Sequence, residues 1–97
     1  MAEPDERKNK LKQSVALRYR PKEERAPRVV AKGKGYLAEK IIEIAKKHGI
    51  PIKYEPDLVQ ILSKLDLDQE VPPSLYRAVA EIFAFVYRLN KNYRRRS

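Results

Sequence analysis

The first regular pattern along the chain is an alternation of apolar and polar residues over 14–20, which predicts a half-buried β-strand. The residues on its apolar face are Val15, Leu17 and Tyr19. A charged loop follows over 21–27, bracketed by two prolines that have no amide hydrogen for strand pairing. The β-branched run Arg28–Lys32 then predicts a second strand, and the glycines after it permit a turn into a helix.

Helical spacing of apolar residues predicts a helix over Tyr36–Lys47. Its apolar positions are Leu37, Ala38, Ile41, Ile42, Ile44 and Ala45. Gly49 is placed to end this helix, and Ile50–Tyr54 is expected to form a third short strand. Strand, helix and strand at this spacing predict a right-handed βαβ unit.

Two more helices are expected in the second half of the chain. Pro56 suits the first turn of one of them. The core-facing residues of that helix would be Leu58, Ile61, Leu62 and Leu65. The last helix starts near Pro73, runs to about Asn90 and has an apolar stripe formed by Leu75, Val79, Ile82, Val86 and Leu89. The predicted fold class is therefore α/β, with a small mixed sheet of about three strands packed with three helices.

The length of 97 residues allows one small domain. We expect a flexible N-terminal segment over 1–12, the domain over 13–91 and a basic tail over 92–97. The sequence has no cysteine, which excludes disulfides, thiolate metal ligands and cysteine nucleophiles. It also has neither an apolar run long enough to cross a bilayer nor a signal peptide.

The net charge of +9 is unevenly distributed. Residues 14–34 carry seven lysines and arginines against two glutamates, and residues 76–97 carry six against one, whereas 35–75 is slightly acidic. Such asymmetry is typical of proteins that attract an acidic partner, anionic lipid or nucleic acid. The alternative is a solvated basic surface followed by a frayed tail.

Little in the sequence points to catalysis or to a metal or cofactor site. His48 is the only histidine and falls at the predicted end of a helix, where a partial positive charge is favourable. The short run Gly33-Lys34-Gly35 lacks the spacing of a phosphate-binding loop. The acidic connector residues Asp66, Asp68 and Glu70 are expected in an exposed loop rather than in a dry cleft. We therefore expect no metal and no cofactor.

The last helix carries a second apolar row, about a third of a turn from the first. Its members are Tyr76, Ala80, Phe83 and Tyr87. One interpretation is a helix buried on two sides, by the sheet and by another helix. The other is a partly exposed groove that accepts a segment of a partner protein.

Several strings match the cytoplasmic domain of the FlhB/YscU family in order and spacing over roughly Leu11 to Asn90. The strings are Val15-Ala16-Leu17-Arg18-Tyr19, Ala26-Pro27-Arg28-Val29-Val30-Ala31-Lys32-Gly33, and Glu70-Val71-Pro72-Pro73-Ser74-Leu75-Tyr76-Arg77-Ala78-Val79-Ala80-Glu81 with Val86-Tyr87-Arg88-Leu89. The chain thus resembles the substrate-specificity switch of flagellar and virulence type III export. Members of that family carry a membrane domain before this region, so we expect a short stand-alone relative of the soluble half.

One window departs from the family pattern. Family members carry Asn-Pro-Thr-His before the first of these strings and cleave their own chain there, whereas this chain has Asn9, Lys10, Leu11 and Lys12. Without the proline and its turn, the resemblance implies a degenerate site and a protein that is not an enzyme. The polar residues 1–8 also cannot supply the strand that precedes this motif in the family, so a sheet edge is expected to be open to a strand from a partner.

The resemblance implies an accessory component of flagellar type III protein export. As a binding module it would contact export substrates, export-gate proteins or full-length FlhB in the cytoplasm, at the inner face of the cell membrane. Ala26, Pro27, Ala80 and Phe83 are the expected substrate-binding residues. An anionic membrane surface is a further expected contact. The alternative is a small basic RNA-binding protein, although few aromatic residues accompany the basic ones for base stacking.

Overall fold

The computed structural model describes residues 12–96, with side chains described for residues 12–89. The strands are β1 (Gln13–Arg18) and β2 (Arg28–Lys34), and the helices are α1 (Tyr36–Lys47), α2 (Pro56–Leu62) and α3 (Tyr76–Arg96). A single 3-10 turn, Pro73–Leu75, directly precedes α3. The α/β fold class and the three helices of the prediction are confirmed.

The sheet has two antiparallel strands, with Gln13 opposite Lys34 and Arg18 opposite Arg28. The register shifts once, because Ala16 pairs with Ala31 while Leu17 pairs with Val29. Val30 is left without a partner and forms a β-bulge. Within the described residues, β1 has no strand on its outer side.

The predicted third strand and the βαβ unit are wrong. Ile50–Tyr54 has no regular structure, and Ile50, Ile52 and Tyr54 are all exposed. Pro51 interrupts the segment and has no amide hydrogen to donate to a neighbouring strand, so a ladder through it would lack a hydrogen bond. Instead, the connector before α3 approaches β2 through an isolated antiparallel bridge between Arg28 and Glu70.

Small residues of the sheet face α1. Ser14 donates its hydroxyl to the carbonyl of Ala38, which is fully buried, over 3.0 Å. Gly33 lies opposite Ser14, and a Cβ built there would be only 2.5 Å from Cγ of Leu37. Helix α1 begins after Gly35, whose φ of 60° and ψ of −127° suit a residue without a Cβ. Glycine at these two positions therefore allows α1 to start tightly against the sheet.

Larger residues on the opposite face form the core with α2 and α3. The buried cluster consists of Leu62, Val71 and Val79, and the residues packed against it are Val15, Leu17, Leu58, Leu65, Leu75 and Phe83. Lys32 lies on this face too, and its ammonium donates to the carbonyls of Ser63 and Leu65 at the end of α2. The sheet is therefore covered by a helix on one face and by two helices on the other.

The last helix differs from its prediction at both ends. The helical start near Pro73 is a 3-10 turn, and the α-helix proper extends to Arg96 rather than ending near Asn90. Helix α3 thus passes through the predicted boundary between the domain and the basic tail at 91/92. The proposed flexible segment lies almost wholly outside the described residues, and the domain boundaries stay predictions.

Candidate docking pocket

The candidate site begins where β1 ends. The residues Val15 and Leu17 contact the core, and Tyr19 continues the same alternation one step beyond the strand. The ring of Tyr19 meets that of Phe83 on α3, with the centroids 5.8 Å apart and the planes inclined by 55°. This tilted contact is a favourable geometry for two aromatic rings. It joins the end of the sheet to the first half of the last helix.

The loop over 19–27 forms one wall of the site. It turns at once after the strand, since the amides of Glu23 and Glu24 both donate to the carbonyl of Arg20. At its other end, the carbonyl of Pro27 accepts a hydrogen bond of 2.8 Å from the amide of Val71. The loop is therefore tied both to itself and to the connector that precedes α3.

A cluster of four charged side chains, the Glu24 cluster, holds this loop in place. It consists of Arg18, Glu24, Arg28 and Glu70. Oε2 of Glu24 lies 2.8 Å from Nη2 of Arg18 and 3.2 Å from Nε of Arg28, while Oε1 accepts from the amide of Arg20 over 2.9 Å. The hydrogen bond from Arg18 lowers the pKa of Glu24, and the same contact raises the pKa of Arg18.

Arg28 extends the cluster to the connector before α3. Its guanidinium donates to the carbonyl of Asp68 over 2.8 Å and to the carboxylate of Glu70 over 3.3 Å. The adjacent Val29 adds two backbone hydrogen bonds to the same connector, with Asp68 and Gln69. The strand, the loop and the connector consequently form one continuous support beside α3.

A shallow pocket of about 260 Å³ opens between this support and α3. Its lining residues, which define the docking pocket, are Tyr19, Arg25, Pro27, Tyr76, Val79, Ala80 and Phe83. Val79 is buried at the floor, whereas Ala80 is exposed. Every lining residue except Arg25 presents an apolar or aromatic side chain, so the pocket favours an apolar group.

Three of the four predicted binding residues come together in this pocket: Pro27, Ala80 and Phe83. The fourth does not line it, because only 1% of Ala26 is exposed. Ala26 is a core residue that anchors the loop beneath the surface. The sequence-based prediction placed it in the site because it is a small apolar residue next to Pro27, and the same apolar character also suits a core position.

Sequence reasoning did not assign Tyr19, Arg25, Tyr76 or Val79 to the site. Two of them carried a usable signal: Tyr19 continues the apolar face of β1, and Tyr76 belongs to the second apolar row of α3. That row is not buried on two sides, because Ala80 is exposed and Tyr87 is 67% exposed. Arg25 carried no distinguishing signal among the many basic residues of the loop.

The degenerate cleavage window falls mostly outside the described part of the chain, which includes Lys12 but not Asn9, Lys10 or Leu11. The carbonyl of Lys12 accepts a hydrogen bond from the amide of Gly35, and its ammonium lies 3.7 Å from Glu39. This residue therefore supports the start of α1. No group of histidines and carboxylates within the described residues has the arrangement of a metal site.

The basic residues of 14–34 do not form one open cationic surface. Arg18, Arg20 and Arg28 form ion pairs with glutamates of the loop and connector, and Lys32 binds the end of α2. The remaining members of the set are Lys22, Arg25 and Lys34. Four of these seven basic side chains are thus engaged with other groups of the protein.

The profile of the FlhB HrpN YscU SpaS Family matches residues 8–86, most of the chain. The chain belongs to this family. The resemblance identified from the sequence strings is confirmed, and the matched range includes the loop, both strands and the part of α3 that lines the docking pocket.

Two proteins similar to this chain differ greatly in length. The uncharacterized protein YlqH of Bacillus subtilis is 44% identical over 82 residues, which are 84% of this chain and 88% of that protein. The flagellar biosynthetic protein FlhB of Aquifex aeolicus is 46% identical over 74 residues, or 75% of this chain but 21% of that protein. The chain therefore spans about a fifth of the FlhB proteins that it matches.

Solved structures agree with the family assignment. The cytoplasmic domain of FlhB from Shewanella putrefaciens has a TM-score of 0.80 and 36% identity, over 88% of this chain and 70% of that chain. The PscU C-terminal domain has a TM-score of 0.72 and 31% identity, over 76% of this chain and 95% of that chain. Among the described residues, no helical segment combines the length and apolarity that a bilayer crossing requires.

Proposed function

We propose that this chain is a non-cleaving accessory component of flagellar type III protein export, which binds export substrates or export-gate proteins through the docking pocket. The observation that carries the proposal is the pocket itself, an apolar site on a supported wall within an FlhB-family domain. Similarity to flagellar biosynthetic FlhB proteins supports the flagellar assignment. The module acts at the cytoplasmic face of the membrane, where it replaces or competes with the corresponding part of full-length FlhB.

Recognition in this proposal is mainly apolar. The partner inserts an apolar side chain between Pro27 and Phe83, above Ala80, and desolvates these groups. Because the Glu24 cluster already orders the loop, the pocket forms without a partner and little ordering is needed on binding. The site functions as a preformed socket for a short segment.

The main test is the substitution Ala80→Asp, which places an unpaired charge in the apolar contact. We expect binding of N-terminal segments of flagellar export substrates to weaken by about 2–4 kcal/mol, measured by isothermal titration calorimetry. The melting temperature should change little, because Ala80 is exposed. The matched control is Ala84→Asp, which adds the same charge at an exposed position of the same helix outside the docking pocket. Unchanged binding in the Ala80 variant would contradict the proposal.

The absence of self-cleavage is part of the same proposal. Asn9 retains a side chain that can attack its own carbonyl, but Lys10 stands where the family has the turn-forming proline. We expect the purified protein to keep its full mass for days at neutral pH. Intact-mass spectrometry checks this, and a rapid, clean cut after Asn9 would show that the chain is still a self-cleaving protein.

RNA binding is the less favoured function. Four of the seven basic residues over 14–34 are engaged in ion pairs or in capping α2, which leaves fewer free cations to contact phosphates. Salt separates the two functions, because binding of nucleic acid or of an anionic membrane surface weakens steeply with ionic strength, whereas apolar docking persists.

A further inference from the structure

The docking pocket carries a single charged side chain, that of Arg25. Its neighbours in the loop and strand are paired: Arg18 and Arg28 with Glu24, and Arg20 with Glu23. Within the described residues, no ion pair or hydrogen bond satisfies the guanidinium of Arg25, which is exposed. Both glutamates of the loop are taken by other arginines, and a positive charge is left at the edge of an apolar pocket.

The size of the pocket limits what it can hold. Its volume of about 260 Å³ lies below the roughly 300–1,000 Å³ that is usual for small-molecule sites. It is also open at the surface and has no second charged group in its lining. These features suit an anchoring side chain of a polypeptide better than a complete small ligand. The rest of such a segment must lie across the rim, beside Arg25.

We propose that the segment bound here combines an apolar anchor with an aspartate or glutamate a few residues away, whose carboxylate pairs with Arg25. The inference deepens the proposed function and rests on it, since it specifies the chemistry of the partner at the same pocket. A guanidinium presents paired donors that match a carboxylate. A basic flank would instead face the like charge of Arg25, so the rim disfavours cationic segments while the floor accepts any suitable apolar group.

Charge reversal tests the inference. Two short fluorescein-labelled peptides share one central leucine and differ in their flanks, which carry either aspartates or lysines. At low ionic strength the wild-type protein should bind the aspartate peptide about threefold to tenfold more tightly by fluorescence anisotropy. The Arg25→Glu variant should reverse the preference, and added salt should reduce it in both proteins.

The matched control is Lys22→Glu, which changes the net charge of the same loop equally but lies outside the pocket lining. It should keep the wild-type preference for the aspartate peptide. If Lys22→Glu reverses the preference as Arg25→Glu does, the effect is a general field rather than a pairing at the rim, and the inference is overturned. Circular dichroism should show the same fold for both variants, since neither side chain supports the structure.

The outcomes also separate this inference from the proposed function. If both peptides bind with equal affinity, and Ala80→Asp abolishes their binding, the pocket is a docking site without charge selection and only the inference fails. Binding of neither peptide, together with no effect of Ala80→Asp on export-substrate binding, overturns both proposals.

Discussion

The two faces of the small sheet are built differently, and only one of them has a candidate site. Toward α1, the sheet presents small residues: Ser14, Ala16, Ala31 and Gly33. Toward α2 and α3, it presents large aliphatic residues, with Val15 and Leu17 in contact with the buried core. Small residues let one helix lie directly on the strands and leave little space, whereas large residues and two helices leave a gap at the end of the face. The docking pocket therefore lies at the end of the face of the sheet that α2 and α3 cover.

The largest loss of stability should come from truncating a core side chain in the layer that α2 and α3 form on the sheet. We expect Leu62→Ala to lower the free energy of unfolding by about 2–5 kcal/mol, because it opens a cavity beside Val71 and Val79. Chemical denaturation followed by circular dichroism measures the change. The control is Ile61→Ala on the same helix, where the side chain is 47% exposed, against 3% for Leu62. Equal losses at the two positions would show that α2 does not distinguish its core side from its outer side.

A smaller loss of stability is expected from adding a methyl group between the sheet and α1. Gly33→Ala would bring a methyl group against Leu37, and we expect a cost of about 1–3 kcal/mol by thermal and chemical denaturation. Leu37→Ala in the same protein should recover part of that cost, because it removes the side chain that the new methyl group meets. Leu37 is 57% exposed, so its own truncation should be mild. Additive losses in the double variant would contradict the close contact between α1 and the sheet.

The smallest change in stability should come from the Glu24 cluster, which lies at the surface beside α3. The pKa of Glu24 is lowered from its ordinary value of 4.5, chiefly by the hydrogen bond from Arg18. Its ionised form therefore stabilises the fold above that value, and this contribution disappears as the pH falls below it. We expect Glu24→Gln to lower the melting temperature at pH 7 and to make its decline toward pH 3 shallower.

Glu23→Gln is the comparison for this pH experiment. Glu23 lies in the same loop but is more exposed, and its carboxylate is 3.7 Å from Arg20. At pH 7, its substitution should lower the melting temperature less than Glu24→Gln does, because Glu23 has one long ion pair on an exposed part of the loop. An equal or larger loss in the Glu23 variant would show that the Glu24 cluster does not stabilise the loop.

Local patterns in the sequence predicted the parts of the fold that depend on local physics. The bounds of α1 were predicted to the residue, since its apolar spacing and the glycines on either side agree. Ile50–Tyr54 has a strand-like composition, which is why a strand was predicted there. It forms no strand because strand formation also requires a neighbouring edge and a surface to bury. The bridge between Arg28 and Glu70, separated by more than forty residues, left no local pattern to read.

The candidate site shows the same limit. Ala80 and Phe83 belong to a helical row that the sequence displays, and Pro27 brackets a visible loop. Whether Ala26 or its neighbour Pro27 reaches the surface depends on how the loop folds over the core, which the Glu24 cluster determines. The special position of Arg25 is also invisible in the sequence, since it depends on which arginines the two glutamates pair with in space.

The outer side of β1 has a consequence for the behaviour of the protein in solution. Among the described residues no strand covers that side, so its backbone groups are a template on which a second copy could pair. The net charge of +9 opposes such self-association by repulsion between copies. Because salt at about 0.1 M screens exposed charges beyond about 10 Å, concentrated stocks should be most soluble in dilute buffer and should form oligomers as salt is added. The basic character of the chain thus acts as a solubility device as well as an attraction for partners.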